Sequence, residues 1–249
     1  MAGKLKTEAI VLRSIRYGEA DRILHLYTAE RGRVNAIAKG SRKPRSRFGG
    51  RLEPFFRLDL LLHEGRGDLL TVTGASTVCG YPNLRASGPA IGSAARACEA
   101  VLRLLDSVEP NRPAFNLLCR YLDLLDAGAA ADAEGAGAAA GAGPSAAGLA
   151  FRLKLALASG FAPELASCAR CGEAEGISGF SGAAGGVVCA ACEGGGFALS
   201  HDAHEFMVEA LGRPLAELPA AEPASLRQVE RAIGDLLSHH AHVQLRTAA

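Results

Sequence analysis

Between Leu5 and Val78 the apolar positions fall into five short runs: LKTEAIVLRSI, ADRILHLYTA, RVNAIAKG, RLEPFFRLDLLLH and DLLTVTGASTV. Each run is rich in β-branched or aromatic side chains. RYGE, ERG, a long basic segment and EGRG separate them. Alternation bounded by such turn-forming segments predicts strands. Five strands packed into so short a stretch cannot leave their edges open, so the pattern predicts a small closed or partly closed β-barrel over residues 1–80.

After Tyr81-Pro82 the apolar spacing changes from two to three or four. Ile91, Ala94, Ala95, Cys98, Val101, Leu102 and Leu105 form one helical stripe, and Phe115, Leu118, Cys119, Leu122 and Leu125 a second. Leu149–Ser159, stopped by Gly160, is a third, and Leu226 to Val243 a fourth. Residues 81–249 therefore read as a second, helical domain, and the chain as an α+β multidomain protein. Within that domain residues 127–148 hold 12 Ala and 6 Gly, a composition that predicts a low-complexity linker. Cys79, Cys98 and Cys119 sit beside or within apolar stripes and read as core residues.

Charge alters this picture. Residues 1–57 carry 14 Lys/Arg against 5 Asp/Glu, whereas the remainder carries 13 against 21. The formal net charge of +1 thus hides two oppositely charged parts. The excess is densest in KGSRKPRSRFGGR, Lys39–Arg51, with six basic side chains and no acid. Such a segment is either a solvated loop whose charges only aid solubility or the footprint of a polyanion-binding surface, which gains affinity by releasing counterions from phosphates. Lys39, Arg42, Lys43, Arg45, Arg47 and Arg51 are the expected phosphate contacts, with Arg13, Arg16, Arg22, Arg31 and Arg33 as candidate extensions of the patch. Phe48 either stacks on a base or folds back on the barrel. Phe55 and Phe56 alternate in the fourth strand, which turns at least one of them into the core.

Cys168-x-x-Cys171 and Cys189-x-x-Cys192 are separated by 17 residues rich in Gly. That spacing suits two knuckles offering four thiolates to one tetrahedral zinc ion, within a zinc-ribbon insertion at about 164–199. Four protein ligands leave no open position, so one structural Zn2+ per chain is expected. The insertion carries Arg170 against Glu164, Glu173, Glu175 and Glu193, a poor match for phosphate. His201 and His204 read as the surface start of a helix, and His239, His240 and His242 as a mostly solvated face.

No stretch of 18 apolar residues occurs, and MAGKLKTEAIVLR has no signal-peptide apolar region, so a cytoplasmic, membrane-free location is expected. The zinc-deaminase, zinc-protease, phosphate-loop and nucleophile-elbow signatures are all missing. Neither catalytic nor cofactor-binding residues are assigned.

YGEADRIL, TAERGRVNAIAKG, SRKPRSR, LEPF and, downstream, AFRLKLALASGFAPELASCARCG together resemble the bacterial RecO family of recombination mediators. The resemblance touches most of the chain and is strongest over residues 5–65 and 150–172. It implies an oligonucleotide-binding (OB) fold, a helical domain and a zinc ribbon. It also implies binding of single- and double-stranded DNA, annealing without ATP, and help to RecA on DNA coated with single-strand binding protein (SSB). RecR and the SSB C-terminal tail are the implied protein partners, in the nucleoid of a bacterial cytoplasm. Two other classes remain open: a zinc-ribbon RNA-binding protein, and an enzyme acting on nucleotides with an unrecognised site.

Overall fold

A computed structural model describes residues 3–65, 67, 69–133, 144–192 and 194–245. The chain forms two compact units, Met1–Gly137 and Ala138–Ala249.

Five strands make up the sheet of the first unit: β1 (Lys4–Tyr17), β2 (Asp21–Thr28), β3 (Gly32–Ala38), β4 (Arg57–His63) and β5 (Leu70–Cys79). They close in the order β1-β2-β3-β5-β4, with β4 returning to pair with β1. Every pairing is antiparallel except β3 with β5, which meet in parallel at Ala36–Leu70 and Ile37–Thr71. This is the OB-fold barrel that the five runs and the resemblance imply. Alternation fills its interior: Ala9, Val11, Leu24, Leu26, Ala36, Leu58, Leu60, Leu62 and Val72 are all fully buried. The turn between β2 and β3 needs Gly32, at φ 55°. A Cβ there would lie 2.3 Å from the Glu109 carbonyl oxygen and 2.9 Å from that of Ser107.

The fourth strand differs from its predicted extent. Residues 51–55 form turns, and β4 begins only at Arg57. Phe55 takes a left-handed φ of 75° and is buried, while its amide donates to the Val11 carbonyl at 2.8 Å. Phe56 is half-buried with the Arg85 guanidinium 4.4 Å above its ring. One aromatic is therefore core, as expected, but a kink rather than strand alternation puts it there.

Helices α1 (Pro82–Ala86), α2 (Gly88–Leu104) and α3 (Arg112–Ala133) complete this unit. Ser87 caps α2 by accepting from the Ala90 amide, and Pro89 opens its first turn. Helix α1 leaves no periodicity in the sequence because five residues are too few to show any. The Ala-rich residues 127–133 also differ from expectation: they continue α3, since Ala is the best helix former and Ala129 packs inward. Residues 134–143 of the predicted linker lie outside the described residues.

Three helices of the second unit, α4 (Ala146–Ala158), α5 (His201–Gly212) and α6 (Pro223–His240), pack against one another. Ser145 and Ser200 cap α4 and α5 through their hydroxyls. Arg152 is buried in α4 and pairs with Glu230 of α6 at 3.2 Å, both nearly withdrawn from solvent. Between α4 and α5 the chain builds a small sheet of β6 (Ile177–Ser181), β7 (Gly186–Cys189) and β8 (Phe197–Ala198), ordered β7-β6-β8. No described helix is long and apolar enough to cross a membrane.

Candidate nucleic-acid interface and candidate metal centre

The basic segment is the β3–β4 connection. It is not a free strap, because consecutive turns carry it: Lys43 to Gly40, Ser46 to Lys43 and Gly49 to Ser46, amide to carbonyl, at 2.9–3.3 Å. It is pinned to the β1–β2 turn. The Gly40 amide donates to Asp21 Oδ1 at 2.7 Å, the Arg42 amide to the Ala20 carbonyl at 2.8 Å, and Arg42 Nη1 to the Gly18 carbonyl at 3.3 Å. Its apolar side chains turn inward, with Phe48 at 1% and Leu52 at 2% exposure in the barrel core. Phe48 therefore takes the folded-back alternative and offers no free ring face. Lys39, Arg42, Lys43, Arg45, Arg47 and Arg51 are all exposed.

Those six cations differ from the other basic residues of this unit. Among the described residues no acid pairs with any of the six, whereas Arg31 pairs with Glu64, Arg57 with Glu8, and Arg22 with Glu53 at 2.6 Å. Arg33 is held by the Leu102 carbonyl at 2.9 Å. The extended patch thus reduces to Arg13 and Arg16, both exposed; Arg22, Arg31 and Arg33 are occupied. Two loop arginines also serve the barrel. Arg47 lies over the Phe48 ring at 4.8 Å and reaches the Val72 carbonyl, while Arg51 reaches that of Ala75, each at 3.4 Å. Among the described residues the β3–β5 pairing ends at Thr71, and these guanidinium groups bond β5 carbonyls beyond it. Sequence alternation does not single out Tyr17, which is 54% exposed at the root of the turn that anchors the loop. Its signal is the regular continuation of β1 past the bulge at Val11–Arg13.

All four cysteines of the two CxxC pairs converge, with their sulfurs within 4.8 Å of one another. Cys168 and Cys171 lie on a tight turn closed by the Gly172 amide on the Cys168 carbonyl at 2.8 Å. Cys189 ends β7, and Cys192 ends a 3-10 turn over Ala190–Cys192. The hairpin brings the second knuckle back over the first because Glu164 bridges to it: its amide donates to Gly185 and its carbonyl accepts from Val187, both at 2.9 Å. Gly186 permits that approach, since a Cβ there would lie 2.3 Å from the Glu164 carbonyl oxygen. Cys171 Sγ and Cys189 Sγ are 3.7 Å apart. A tetrahedral thiolate site with metal–sulfur bonds of about 2.3 Å has edges of about 3.8 Å, close to that separation, so the group could hold a metal ion.

Electrostatics points the same way. Backbone N–H groups, that of Cys189 foremost, hold the Cys168 thiol down to about 6. The adjacent Cys171 and Cys189 thiols push Cys192 up to about 12. The cluster thus takes a negative charge readily at Cys168 and resists further charge at Cys171 and Cys192, a resistance that a cation would relieve. By contrast, burial alone pushes the Cys98 thiol up to about 12, and burial is also the main cause that brings Cys119 there. Both are inert core thiols. Cys79 is half-buried at the end of β5.

His201 is exposed at the start of α5, and His204 makes a 2.8 Å hydrogen bond with the Leu165 carbonyl. His240 does the same with the Gly182 carbonyl at 2.8 Å. Because a carbonyl only accepts, each ring nitrogen carries its proton there, and both side chains are braces.

Comparison with known proteins agrees with this architecture. Residues 1–81 match the family described as Recombination protein O N terminal, and residues 85–248 that described as Recombination protein O C terminal. The boundary between the two matches falls where the apolar spacing changes, ahead of the division between compact units. A protein of Rubrobacter xylanophilus named DNA repair protein RecO is 42% identical over 94% of this chain and 90% of its own length. A protein of the same name from Anaeromyxobacter sp. strain K is 37% identical over 95% and 91%. With an OB-fold barrel, a helical part holding a four-cysteine cluster, and family matches over nearly its whole length, the chain belongs to the RecO family.

Proposed function

We propose that this chain is a non-catalytic mediator of DNA repair and recombination that binds single- and double-stranded DNA through Lys39, Arg42, Lys43, Arg45, Arg47 and Arg51. The observation that carries this reading is the set of six exposed cations with no acidic partner among the described residues. Exposed cations without an acidic partner in the protein are free to meet a polyanion, which gains by releasing its counterions, and the phosphate backbone of nucleic acid is the polyanion that a sequence-blind cationic loop fits. Contacts restricted to the backbone suit the annealing of complementary strands, which must accept any sequence and then release the duplex. In this reading the protein anneals without ATP and assists RecA on SSB-coated DNA together with RecR. The helical part receives the SSB C-terminal tail, and the setting is the bacterial cytoplasm and nucleoid.

The ion of the cysteine cluster is zinc, one per chain, held by Cys168, Cys171, Cys189 and Cys192. All-thiolate tetrahedral sites favour it, and with four protein ligands it supplies structure and no open coordination position. Its carriers, the two knuckles, close the turn around Cys168 onto the β6–β7 hairpin.

A fluorescence annealing assay tests the whole reading, using SSB-coated complementary oligonucleotides and no nucleotide. Acceleration by the full chain is expected. Tight binding of folded RNA without annealing would favour an RNA-binding protein, and turnover of the oligonucleotide would favour an enzyme.

A further inference from the structure

Past the bulge at Val11–Arg13, the β1–β2 ribbon runs in unbroken register: Arg13 faces His25, Ser14 faces Leu24, Ile15 faces Ile23, Arg16 faces Arg22 and Tyr17 faces Asp21. Leu24 is fully buried in the barrel, so the Ser14–Arg16 side of β1 is the inner one. Arg13, Ile15 and Tyr17 lie on the outer side. Ile15 is 37% exposed and Tyr17 54%, and the half-buried Ile23 and Ile37, paired across β2 and β3, continue the same face. A row of apolar side chains ending in a free aromatic ring is thus displayed on a sheet surface that the barrel does not cover. Arg13 flanks one end. The basic loop flanks the other, because Arg42 bonds the Gly18 carbonyl next to Tyr17 and Gly40 bonds Asp21, the cross-strand partner of Tyr17.

We propose that Tyr17, backed by Ile15, Ile23 and Ile37, is a stacking platform for the bases of single-stranded DNA whose phosphates lie on the loop cations. This rests on the DNA-binding reading above and adds to it the means of telling one strand from two. Charge complementarity fixes the polyanion, and the adjacent apolar face fits only a polyanion with exposed planar bases. In a duplex the base faces are stacked on one another, so the platform engages single strands alone. Bases that pair must leave it, so the annealed product keeps only the loop contacts.

The chain contains no Trp, and its other tyrosines, Tyr27, Tyr81 and Tyr121, are 1–2% exposed. Tyr17→Trp in the full chain therefore installs a single indole at the platform. Its emission is expected to fall several-fold on saturation with an oligothymidylate, and to change little with a duplex of equal length at the same salt. Tyr17→Ala should lower single-strand affinity about tenfold with the salt dependence unchanged, and Tyr17→Phe should restore it. Two results overturn the platform while leaving the loop reading intact: unchanged indole emission of the Tyr17→Trp variant with a bound oligothymidylate, or equal quenching by duplex. Failure of the unaltered protein to bind the oligothymidylate overturns both.

Discussion

The basic loop and the cysteine cluster are two answers to the same electrostatic problem, the crowding of like charge. In the loop, six exposed cations are spread along a backbone of consecutive turns, three of them also bonding carbonyls. In the cluster, four thiols converge within 4.8 Å. Divergent charges in water repel one another weakly, since solvent and salt screen them; convergent ones do not escape so easily. The loop can therefore carry its charge without an internal counter-ion, while the cluster is a place where a cation could be held. The difference teaches that local density of charge says little about role. Whether like charges are spread in solvent or brought together decides whether screening by solvent and salt suffices or a cation held among them would be favoured.

The largest expected effect breaks the convergent side. Replacing Cys168 and Cys171 by Ser should remove the zinc and cost several kcal/mol of stability in the second unit, as loss of a structural thiolate site does. Metal analysis and calorimetry measure this, with the salt dependence of DNA binding retained. Protein prepared without chelator and containing no zinc would sink the site.

Next in size is Phe48→Ala, which probes the inner lining of the divergent side. Because this ring is buried in the barrel core, its removal should cost about 3–5 kcal/mol in chemical denaturation. A variant of unchanged stability and weakened DNA binding would return Phe48 to the DNA surface.

The smallest structural effect and the sharpest functional one belong to Arg42, Lys43 and Arg45 changed together to Ala. None of the three is buried or ion-paired among the described residues, and the bond of Arg42 to the Gly18 carbonyl is backed by the amides of Gly40 and Arg42 on the same turn, so circular dichroism should be unaltered. If each meets a single-strand phosphate, the slope of log K against log salt should become shallower by about 2. Arg47 and Arg51 are left in place, because both also bond carbonyls of β5. An unchanged slope would make the loop a solvated connection and end the comparison.

Local sequence by itself determined the five barrel strands and the longer helices, but not α1, the helical residues 127–133 or the turns at residues 51–55. Alternation over residues 5–78 is enough for strands because one face of each must be buried, and three-to-four spacing after residue 81 is enough for helices. Two CxxC pairs at fixed separation already point to a group that could hold a metal ion, since each knuckle brings its own pair of sulfurs together. What tertiary structure alone decided is which side chains remain free. Arg22 and Arg42 are alike in sequence, yet Glu53, 31 positions away, neutralises the first, and no acid among the described residues reaches the second. Phe48 and Tyr17 part ways for the same reason. A ring in a basic loop looks exposed until the loop folds over the barrel end. A ring at the tip of a strand looks ordinary until the bulge and register turn it outward. Such outcomes depend on partners distant in the chain, whose approach is set by barrel closure and not by any neighbouring residue.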